Sequence, residues 1–284
     1  MTRTGPPATR IGPRTFSWGE RTFVMGILNA TPDSFSGDGL LTGAADHVGR
    51  AVTQALEMAA EGADLLDVGG ESTRPGHESV PVDEELARVI PVVAAIREVL
   101  PAMPISVDTT KPDVASAALD AGANAINDVW GVSADDTLAS LAAARGVPIV
   151  LMHNRAEPVY GDLLGEVLAD LRGAVEKAQR AGVTEENILV DPGIGFGKTA
   201  TQNLELLDDL GRLRELGRPI LLGTSRKSTI GKVLDLPAEE RLEGTLATTA
   251  MGIAAGVDII RVHDVRENLR AARVADAIVR GWTG

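Results

Sequence analysis

Eight short runs of apolar residues recur along the chain, separated by longer segments with helical periodicity. The runs are VMGILN from residue 24, LLDVGG from 65, PISVDT from 104, AINDVW from 125, PIVLMH from 148, ILVDPG from 188, PILLGT from 219 and IIRVHD from 259. Their mean spacing of about 34 residues is close to the length of one strand–helix unit. Several intervening segments end in a glycine that is typical of a helix C-terminus, namely Gly62, Gly122, Gly146, Gly182, Gly217 and Gly256.

This pattern predicts the fold class. Near-continuous apolar strands favour a parallel sheet that is covered on both faces. Eight strand–helix units predict an α/β fold, a (β/α)₈ TIM barrel. A doubly wound open sheet is the alternative, but no GxGxxG motif follows the first strand.

The N-terminal segment differs from the rest of the chain. Residues 1–13 are rich in Pro, Gly and Arg and are predicted to form a flexible arm. The alternation in TFSWGERTF, residues 15–23, predicts a short hairpin around Gly19. Residues 14–284 show no boundary and are predicted to form a single domain.

Composition limits the partners and the location of the protein. The chain has 27 basic and 40 acidic residues, a net charge of −13, so it has no overall attraction for nucleic acid or an anionic membrane. It contains no cysteine, which excludes a disulfide framework and a thiolate metal site. No apolar run has the length of a membrane span, and the first residues lack the apolar centre of a signal peptide. We therefore expect a cytoplasmic protein.

Every apolar run ends in residues that can ionise or form hydrogen bonds. In a TIM barrel the carboxyl ends of all the strands open on one face, where active sites lie. We therefore expect most of these residues to line one site. They are Asn29, Asp67, Glu71, Asp108, Asn127, Asp128, His153, Asp191, Arg226, Lys227, Arg261, His263 and Asp264.

The residue types predict two kinds of ligand group. Asp108, Asn127 and Asp191 supply carboxylate and amide groups, which suit a flat heterocycle with adjacent N–H donors and a carbonyl. The cations that could hold a phosphate or carboxylate are Arg74, Lys227, Arg261 and His263. The residues alone therefore predict a polar heterocycle and an anion, without identifying the molecule.

Eight motifs in register resemble those of the dihydropteroate synthase family. They are MGILNATPDSFS at 25–36, GGESTRPG at 69–76, SVDTTKP at 106–112, INDVWG at 126–131, LMHNR at 151–155, DPGIGFGKT at 191–199, GTSRKS at 223–228 and RVHDV at 261–265. The resemblance covers about residues 22–280. It implies a pterin-binding (β/α)₈ barrel, a homodimer that uses Mg²⁺. The implied reaction puts 4-aminobenzoate in place of pyrophosphate on 6-hydroxymethyl-7,8-dihydropterin diphosphate, a step of folate synthesis.

The resemblance also implies roles for particular residues. The pterin contacts would be Asp108, Asn127, Met152, Asp191, Phe196, Lys227 and Arg261. The diphosphate site would comprise Asn29, Arg261 and His263, with Asn29 beside Mg²⁺. The aminobenzoate region would comprise Phe35, Thr73, Arg74, Pro75, Lys227 and Ser228. The residues implied in catalysis are Asn29, Arg74, Lys227, Arg261 and His263.

Two alternative functions share much of this pattern. A folate-dependent methyltransferase would need the same pterin-binding carboxylates, but it has no use for GGESTRPG, SRKS or RVHDV. A non-catalytic pterin-binding paralogue is the second alternative. Residues 30–39 and 71–78 match two mobile loops of the family, and the first reads SFSGDG where the family commonly has SFSDGG. This exchange affects Asp38 and keeps the second alternative open.

Several residues also have simpler structural interpretations. Asp67 could anchor the second loop, Asp191 could shape the turn at Pro192, and Asn127 could be a core amide. Ser228 begins STIGKVL, a predicted short helix, and could be its N-cap rather than a contact for the aminobenzoate carboxylate.

Other polar residues are predicted to lie outside the site. His153 could bond to neighbouring backbone. We expect Lys198 at the surface, and Arg88 and Arg97 on a solvated helix face.

Overall fold

The computed structural model describes residues 5–30, 45–71, 80–131 and 135–282 and contains a closed parallel barrel. The strands are β1 (Thr9–Ile11), β2 (Arg14–Phe16), β3 (Phe23–Asn29), β4 (Leu65–Gly69), β5 (Ile105–Asp108), β6 (Ala125–Asp128), β7 (Ile149–Met152), β8 (Ile188–Asp191), β9 (Leu221–Leu222) and β10 (Ile259–Val262). Strands β3 to β10 form one sheet in the order β8-β7-β6-β5-β4-β3-β10-β9. A parallel bridge between Val190 and Ile220 joins β8 to the start of β9 and closes the barrel.

The strands coincide with the eight apolar runs, so the predicted TIM barrel is confirmed and the open sheet is excluded. The six glycines predicted at helix C-termini all have positive φ, between 64° and 116°, as such positions require. No helix in the described part of the chain is long and apolar enough to cross a membrane.

Helices cover the outside of the barrel. They are α1 (Ala45–Glu61), α2 (Val82–Val99), α3 (Pro112–Asp120), α4 (Thr137–Arg145), α5 (Leu163–Arg180), α6 (Ala200–Asp208), α7 (Ser228–Leu234), α8 (Leu242–Ala255) and α9 (Val265–Val279). Short 3₁₀ helices occupy Glu185–Asn187, Leu210–Leu216 and Ala238–Glu240.

Two separate hydrophobic cores explain the near-continuous apolar strands. The larger core lies between the strands and the helices and includes Val68, Val107 and Ile126. The smaller core contains alternate strand residues such as Leu65, Leu189 and Ile259. Because successive side chains of a strand point to opposite faces, these two sets lie outside and inside the barrel wall. Both faces of each strand are therefore buried.

The N-terminal hairpin lies earlier in the chain than predicted. β1 pairs with β2 in antiparallel register, and the turn is at Gly12, which has φ +56°. A short N-terminal hairpin is thus confirmed, but its predicted position over residues 15–23 is wrong, and Thr9–Ile11 of the predicted arm belong to a strand. The aromatic alternation has another cause: Phe16, Trp18 and Phe23 pack together with centroid distances of 4.8–5.6 Å and close the amino end of the barrel interior.

Two arginines of α2 hold loops and do not form the solvated face that was predicted. The Arg97 guanidinium donates to the carbonyl oxygens of Met103 and Gly122, each at 2.8 Å, and to Asn124 Oδ1 at 2.7 Å. Arg88 donates to the carbonyl oxygen of Gly70 at 2.9 Å. Helix α2 is thereby fastened to the loops before β5 and β6 and after β4.

Candidate active site

Five polar side chains lie at the carboxyl end of the barrel interior. Asp67, Asp108, Asn127 and Asp191 are buried, with exposed fractions of 0%, 6%, 3% and 6%, and Arg261 is 18% exposed at its side chain. Each lies on a different strand: β4, β5, β6, β8 and β10. Inside the barrel the residues change from apolar near the amino ends of the strands to polar near the carboxyl ends. We call these five residues the polar layer.

Arg261 connects two carboxylates of this layer. Its Nε donates to Asp67 Oδ2 at 2.6 Å, and a terminal nitrogen donates to Asp108 Oδ2 at 2.7 Å. Asn127 Nδ2 also donates to Asp67 Oδ2, at 2.9 Å. Asp67 therefore orients Arg261 and Asn127, a role that differs from the loop anchor considered from the sequence. Burial opposes the charge on Arg261, but Asp67 and Asp108 outweigh it and raise the pKa of the guanidinium.

Two carboxylate oxygens of the layer are left without partners among the described residues. They are Oδ1 of Asp67 and Oδ1 of Asp108, both buried. A buried acceptor with no partner costs about 1–3 kcal/mol, so these atoms favour a ligand that brings N–H groups. Burial raises the pKa of Asp108 to about 7, with Arg261 opposing the shift and Asp67 adding to it.

Asp191 lies across from this network. Its Oδ1 accepts the N–H of Gly193 at 2.7 Å, so the carboxylate does shape the turn that follows β8. Its Oδ2 and the Cβ atom of Arg261 both approach Gly223, at 4.0 and 3.9 Å from the position a Cβ atom would take there. Burial raises the pKa of Asp191. One oxygen is thus used by the backbone and the other faces the site.

Lys227 joins the loop after β9 to the segment after β8. Its Nζ donates to the carbonyl oxygen of Ile194 at 2.6 Å and lies 3.9 Å from the centroid of the Phe196 ring. Gly195 has φ +85° and lies so close that a Cβ atom there would be 2.7 Å from Lys227 Cδ. Burial lowers the pKa of Lys227 to about 7, although Asp191 opposes the shift.

Apolar and amide groups complete the described part of this end. Met152, at the end of β7, is 4% exposed and pairs in register with Asp191. Asn29, at the end of β3, is partly buried and pairs in register with Gly69. Both residues therefore lie at the carboxyl ends of their strands, where the sequence predicted the site.

His263 is held by the loop after β9. Its Nδ1 lies 2.9 Å from Ser225 Oγ, and its backbone N–H donates to the same oxygen at 3.2 Å. Next to this pair, Arg226 Nε donates to Asp264 Oδ2 at 3.1 Å. Two pairs of side chains therefore connect the loop that carries Lys227 to the loop that carries His263.

The two loops that the family resemblance matched lie mostly outside the described residues. The predicted site residues Phe35, Thr73, Arg74 and Pro75 lie there, as does Asp38.

Ser228 is not the N-cap of α7. It is exposed and is the first residue of the helix, whereas the N-cap is Lys227, with no side-chain cap bond. The interpretation of Ser228 as a simple N-cap is therefore wrong.

Sequence reasoning missed two charged residues near the site. Lys198 was expected at the surface, but its ammonium group bonds to His153 and to two carbonyl oxygens, and burial lowers its pKa to about 7. Its position at the end of a glycine-rich segment was the signal in the sequence that could have indicated a buried role.

Lys111 is the second charged residue. It bonds to Glu71 and Glu85, and Glu71 accepts the backbone N–H of Val80 at 3.1 Å.

The geometry suits a flat polar heterocycle next to an anion. The polar layer offers carboxylate acceptors and a guanidinium, and Met152 and Phe196 offer apolar surface. Lys227 and His263 add cationic or hydrogen-bonding groups at the rim. Within the described residues no group of three or more His, Asp or Glu side chains is arranged to hold a metal ion.

Comparisons with known proteins identify relatives of this chain. Residues 25–263 match the family described as "Pterin binding enzyme". A dihydropteroate synthase of Clostridium beijerinckii is 54% identical over 272 residues, covering 95% of this chain and 99% of that protein. A dihydropteroate synthase of Clostridium difficile, crystallised in the presence of pteroic acid, has 50% identity and a TM-score of 0.88, covering 93% and 99% of the two chains. The enzyme of Xanthomonas albilineans with 4-aminobenzoic acid has 43% identity and a TM-score of 0.90, covering 96% and 98%.

Proposed function

This chain belongs to the pterin-binding enzymes and, among them, to the dihydropteroate synthase family, and we propose that its polar layer forms the pterin site of that activity. The enzyme condenses 6-hydroxymethyl-7,8-dihydropterin diphosphate with 4-aminobenzoate and releases pyrophosphate and 7,8-dihydropteroate, in folate biosynthesis. The observation that supports the pterin site best is the pair of buried carboxylate oxygens without partners, beside Arg261.

The pterin ring would lie among Asp108, Asn127 and Asp191. Its 2-amino-4-oxo edge carries adjacent N–H donors and a carbonyl, which match carboxylate acceptors and an amide or ammonium donor. Asp191 Oδ2 would accept from this edge, since its other oxygen is used by Gly193. Met152 and Phe196 would cover the ring, and the guanidinium of Arg261 would pack against its face.

The leaving diphosphate would lie at the rim, among Asn29, Arg261 and His263. Mg²⁺ binds through one or two protein oxygens together with substrate phosphates, so the single amide oxygen of Asn29 fits such an ion better than it would fit an all-protein site. When bound, Mg²⁺ would neutralise charge on the departing pyrophosphate. Arg261 is held in place by Asp67, so it needs little reorganisation as that charge develops.

The aminobenzoate would bind on the outer side of the pterin. Lys227 and Ser228 would contact it from the loop after β9, together with Phe35, Thr73, Arg74 and Pro75. The stem of Lys227 lies between the Phe196 segment and α7, and we propose that its ammonium would face both substrates.

The reaction is a substitution at the CH₂ group that carries the diphosphate. The electron-rich dihydropterin stabilises positive charge as the C–O bond breaks, so we propose that pyrophosphate departs before the amine attacks. The nitrogen of 4-aminobenzoate then forms the new C–N bond and loses a proton. The protein contributes position and electrostatic stabilisation, and no covalent nucleophile is required.

Further parts of the proposal concern the assembly and the location. We propose a homodimer in the cytoplasm, which depends on Mg²⁺ for turnover. The dimer is supported by an apolar face on α8 and α9, whose most exposed residues are Val274, at 63%, and Ile278, at 77%. Contiguous exposed apolar patches on a soluble protein mark interaction surfaces.

Substitution of Asp191 by Asn tests the pterin site. The amide keeps the shape and can still accept from Gly193, but it turns an N–H donor toward the N–H groups of the pterin. We expect pterin affinity to fall at least about tenfold, or about 1.4 kcal/mol, in calorimetric titration. Asp120→Asn, at an exposed surface pair with Arg145, is the matched control and should bind as the wild type does. Unchanged binding by Asp191→Asn would contradict the proposed pterin site.

A further inference from the structure

Lys198 lies just behind the proposed pterin pocket and bonds to three acceptors. Its Nζ lies 2.9 Å from His153 Nδ1 and donates to the carbonyl oxygens of Gly193 and Phe196, each at 3.0 Å. An ammonium group has three N–H donors, so all of its hydrogen-bonding capacity is used. Lys198 thereby joins the end of β7 to both ends of the Gly193–Phe196 turn.

His153 is the fixed partner in this arrangement. Its side chain is 1% exposed, and its Nε2 lies 3.2 Å from Asp170 Oδ2. Burial and the charge of Lys198 lower the pKa of His153 to about 4, so the ring is neutral at physiological pH. When Lys198 carries its proton it donates to Nδ1, and this assigns the ring proton to Nε2, which faces Asp170. His153 therefore presents an acceptor to Lys198, at the end of a strand.

Two glycines of the segment from Gly193 to Gly197 lie against the backbone that follows β7, with no room for a side chain at either position. Gly193 has φ +68°, and a Cβ atom there would lie 1.8 Å from the carbonyl oxygen of His153. Gly197 has φ +53°, and a Cβ atom would lie 2.3 Å from the carbonyl oxygen of Arg155. The glycines permit this close approach, and the bonds of Lys198 hold the segment in it.

The position of this segment decides where two site residues lie. The ring of Phe196 faces Lys227 Nζ at 3.9 Å, and the carbonyl oxygen of Ile194 accepts from the same ammonium at 2.6 Å. The N–H of Gly193 bonds to Asp191. A shift of the segment would therefore move a pocket wall, release Lys227 and remove the bond that orients Asp191.

We propose that Lys198, seated on His153, is a positioning residue for the pterin half of the site. It does not touch substrate; it sets the places of Phe196, Lys227 and Asp191 through the segment that it holds. This inference rests on the proposed function, in which the pocket lined by Phe196, Lys227 and Asp191 binds the pterin.

The test compares Lys198→Met with Lys232→Met, a substitution of an exposed lysine on α7. Binding of the pterin diphosphate is measured by calorimetry, and steady-state kinetics vary each substrate separately. Lys198→Met should raise the pterin Kd and KM at least about fivefold, a change of about 1 kcal/mol, and the aminobenzoate KM much less. Lys232→Met should change neither.

A pair of substitutions at His153 separates positioning from general loss of structure. His153→Asn keeps an acceptor near the place of Nδ1 and should retain pterin binding within about twofold, whereas His153→Leu removes the acceptor and should weaken it as Lys198→Met does. Thermal denaturation is recorded for all the variants. Equal losses for Asn and Leu, or a lower Tm with unchanged pterin binding, would overturn the role of Lys198. A wild-type protein that binds no pterin would instead overturn the proposed function.

Discussion

Burial changes the charge that Lys227 carries near neutral pH. Its ammonium lies between Ile194 and Phe196, and loss of hydration lowers its pKa to about 7. The titratable groups that face it are Asp191, Arg261, Lys198 and Asp108. Since a protonated lysine is the form that attracts a carboxylate or carbonyl, the free enzyme should bind substrate best below this pKa.

We therefore expect kcat/KM for the pterin diphosphate to fall as pH rises through about 7, because this parameter, for the substrate that binds first, reports ionisation of the free enzyme. Lys227→Arg carries a guanidinium that stays charged over this range, so its profile should fall less steeply than that of the wild type, because only Lys198 of these two lysines still loses its charge near pH 7. The ionisation of the substrates is the same in both measurements and cancels in the comparison. An identical alkaline fall in Lys227→Arg would contradict a titrating Lys227.

The kinds of residue in the site were predictable, whereas the supporting contacts were not. Asp108, Asn127 and Asp191 end strands, and strand ends share one face of a barrel, so their convergence follows from the periodicity. Lys198 and Arg97 have long side chains, and each has a partner far away in sequence, the ring of His153 for Lys198 and the carbonyl oxygen of Gly122 for Arg97. No local pattern indicates which way such a side chain turns, so both were assigned to solvent.

At the scale of elements, the turn between β9 and α7 positions Lys227 and Ser228, the two residues that we propose contact the aminobenzoate. Arg226 has φ +56°, an unusual conformation for a residue that is neither Gly nor Asn. Its N–H donates to Thr245 Oγ1 at 3.1 Å, and its carbonyl oxygen accepts from Arg241 at 2.9 Å. These contacts stabilise a turn that could not be predicted from the sequence SRKS, which has no glycine or asparagine at the position with positive φ. Lys227 becomes the N-cap of α7, and Ser228 its first residue.

Ser228→Ala should therefore weaken the use of aminobenzoate and leave the stability of the fold almost unchanged. Because Ser228 makes no cap, its loss should change the free energy of unfolding by less than about 0.5 kcal/mol. The KM for aminobenzoate should rise several-fold, with pterin binding little changed. Ser140→Ala, on an exposed position of α4, is the control. A normal aminobenzoate KM would remove Ser228 from the substrate site.

The hairpin shows where a periodic pattern misled. Alternating aromatics predicted a strand pair over residues 15–23, but alternation also arises when an irregular segment packs its aromatic side chains into one cavity. The strand that pairs with β2 lies in the Pro-rich and Gly-rich stretch, where composition predicted an arm. The conformation of this segment is therefore set by its packing against the amino end of the barrel and not by its local sequence pattern.

At the scale of the whole molecule, the barrel is one folded unit with an exposed apolar side. All eight barrel strands share one sheet, which supports the single domain that we propose for residues 14–284, extended to Thr9 by the hairpin. The apolar side is a groove between α8 and α9 lined by Leu246, Ala250, Ala254, Ala271, Val274, Ile278 and Val279, with the buried Ala275 at its floor and the charged Glu267 and Arg270 also in its lining. We assign it to the contact between two copies of the chain.

Ile278→Asp tests that assignment. A charge at the most exposed residue of this face would have to be buried without a partner in the dimer, which is strongly unfavourable. Light scattering should give the mass of a dimer for the wild type and of a monomer for the variant. Val159→Asp, at an apolar residue outside this face that is 69% exposed, should stay dimeric. A dimer that persists in Ile278→Asp would place the interface elsewhere.

The central claim is that this barrel joins a pterin to 4-aminobenzoate, and release of pyrophosphate measures it directly. The purified protein is incubated with 6-hydroxymethyl-7,8-dihydropterin diphosphate and Mg²⁺, with and without 4-aminobenzoate. We predict steady release of pyrophosphate that requires the aminobenzoate, with one dihydropteroate formed for each pyrophosphate. Binding of the pterin with no release that depends on aminobenzoate would contradict the account and would indicate a pterin-binding protein without this activity.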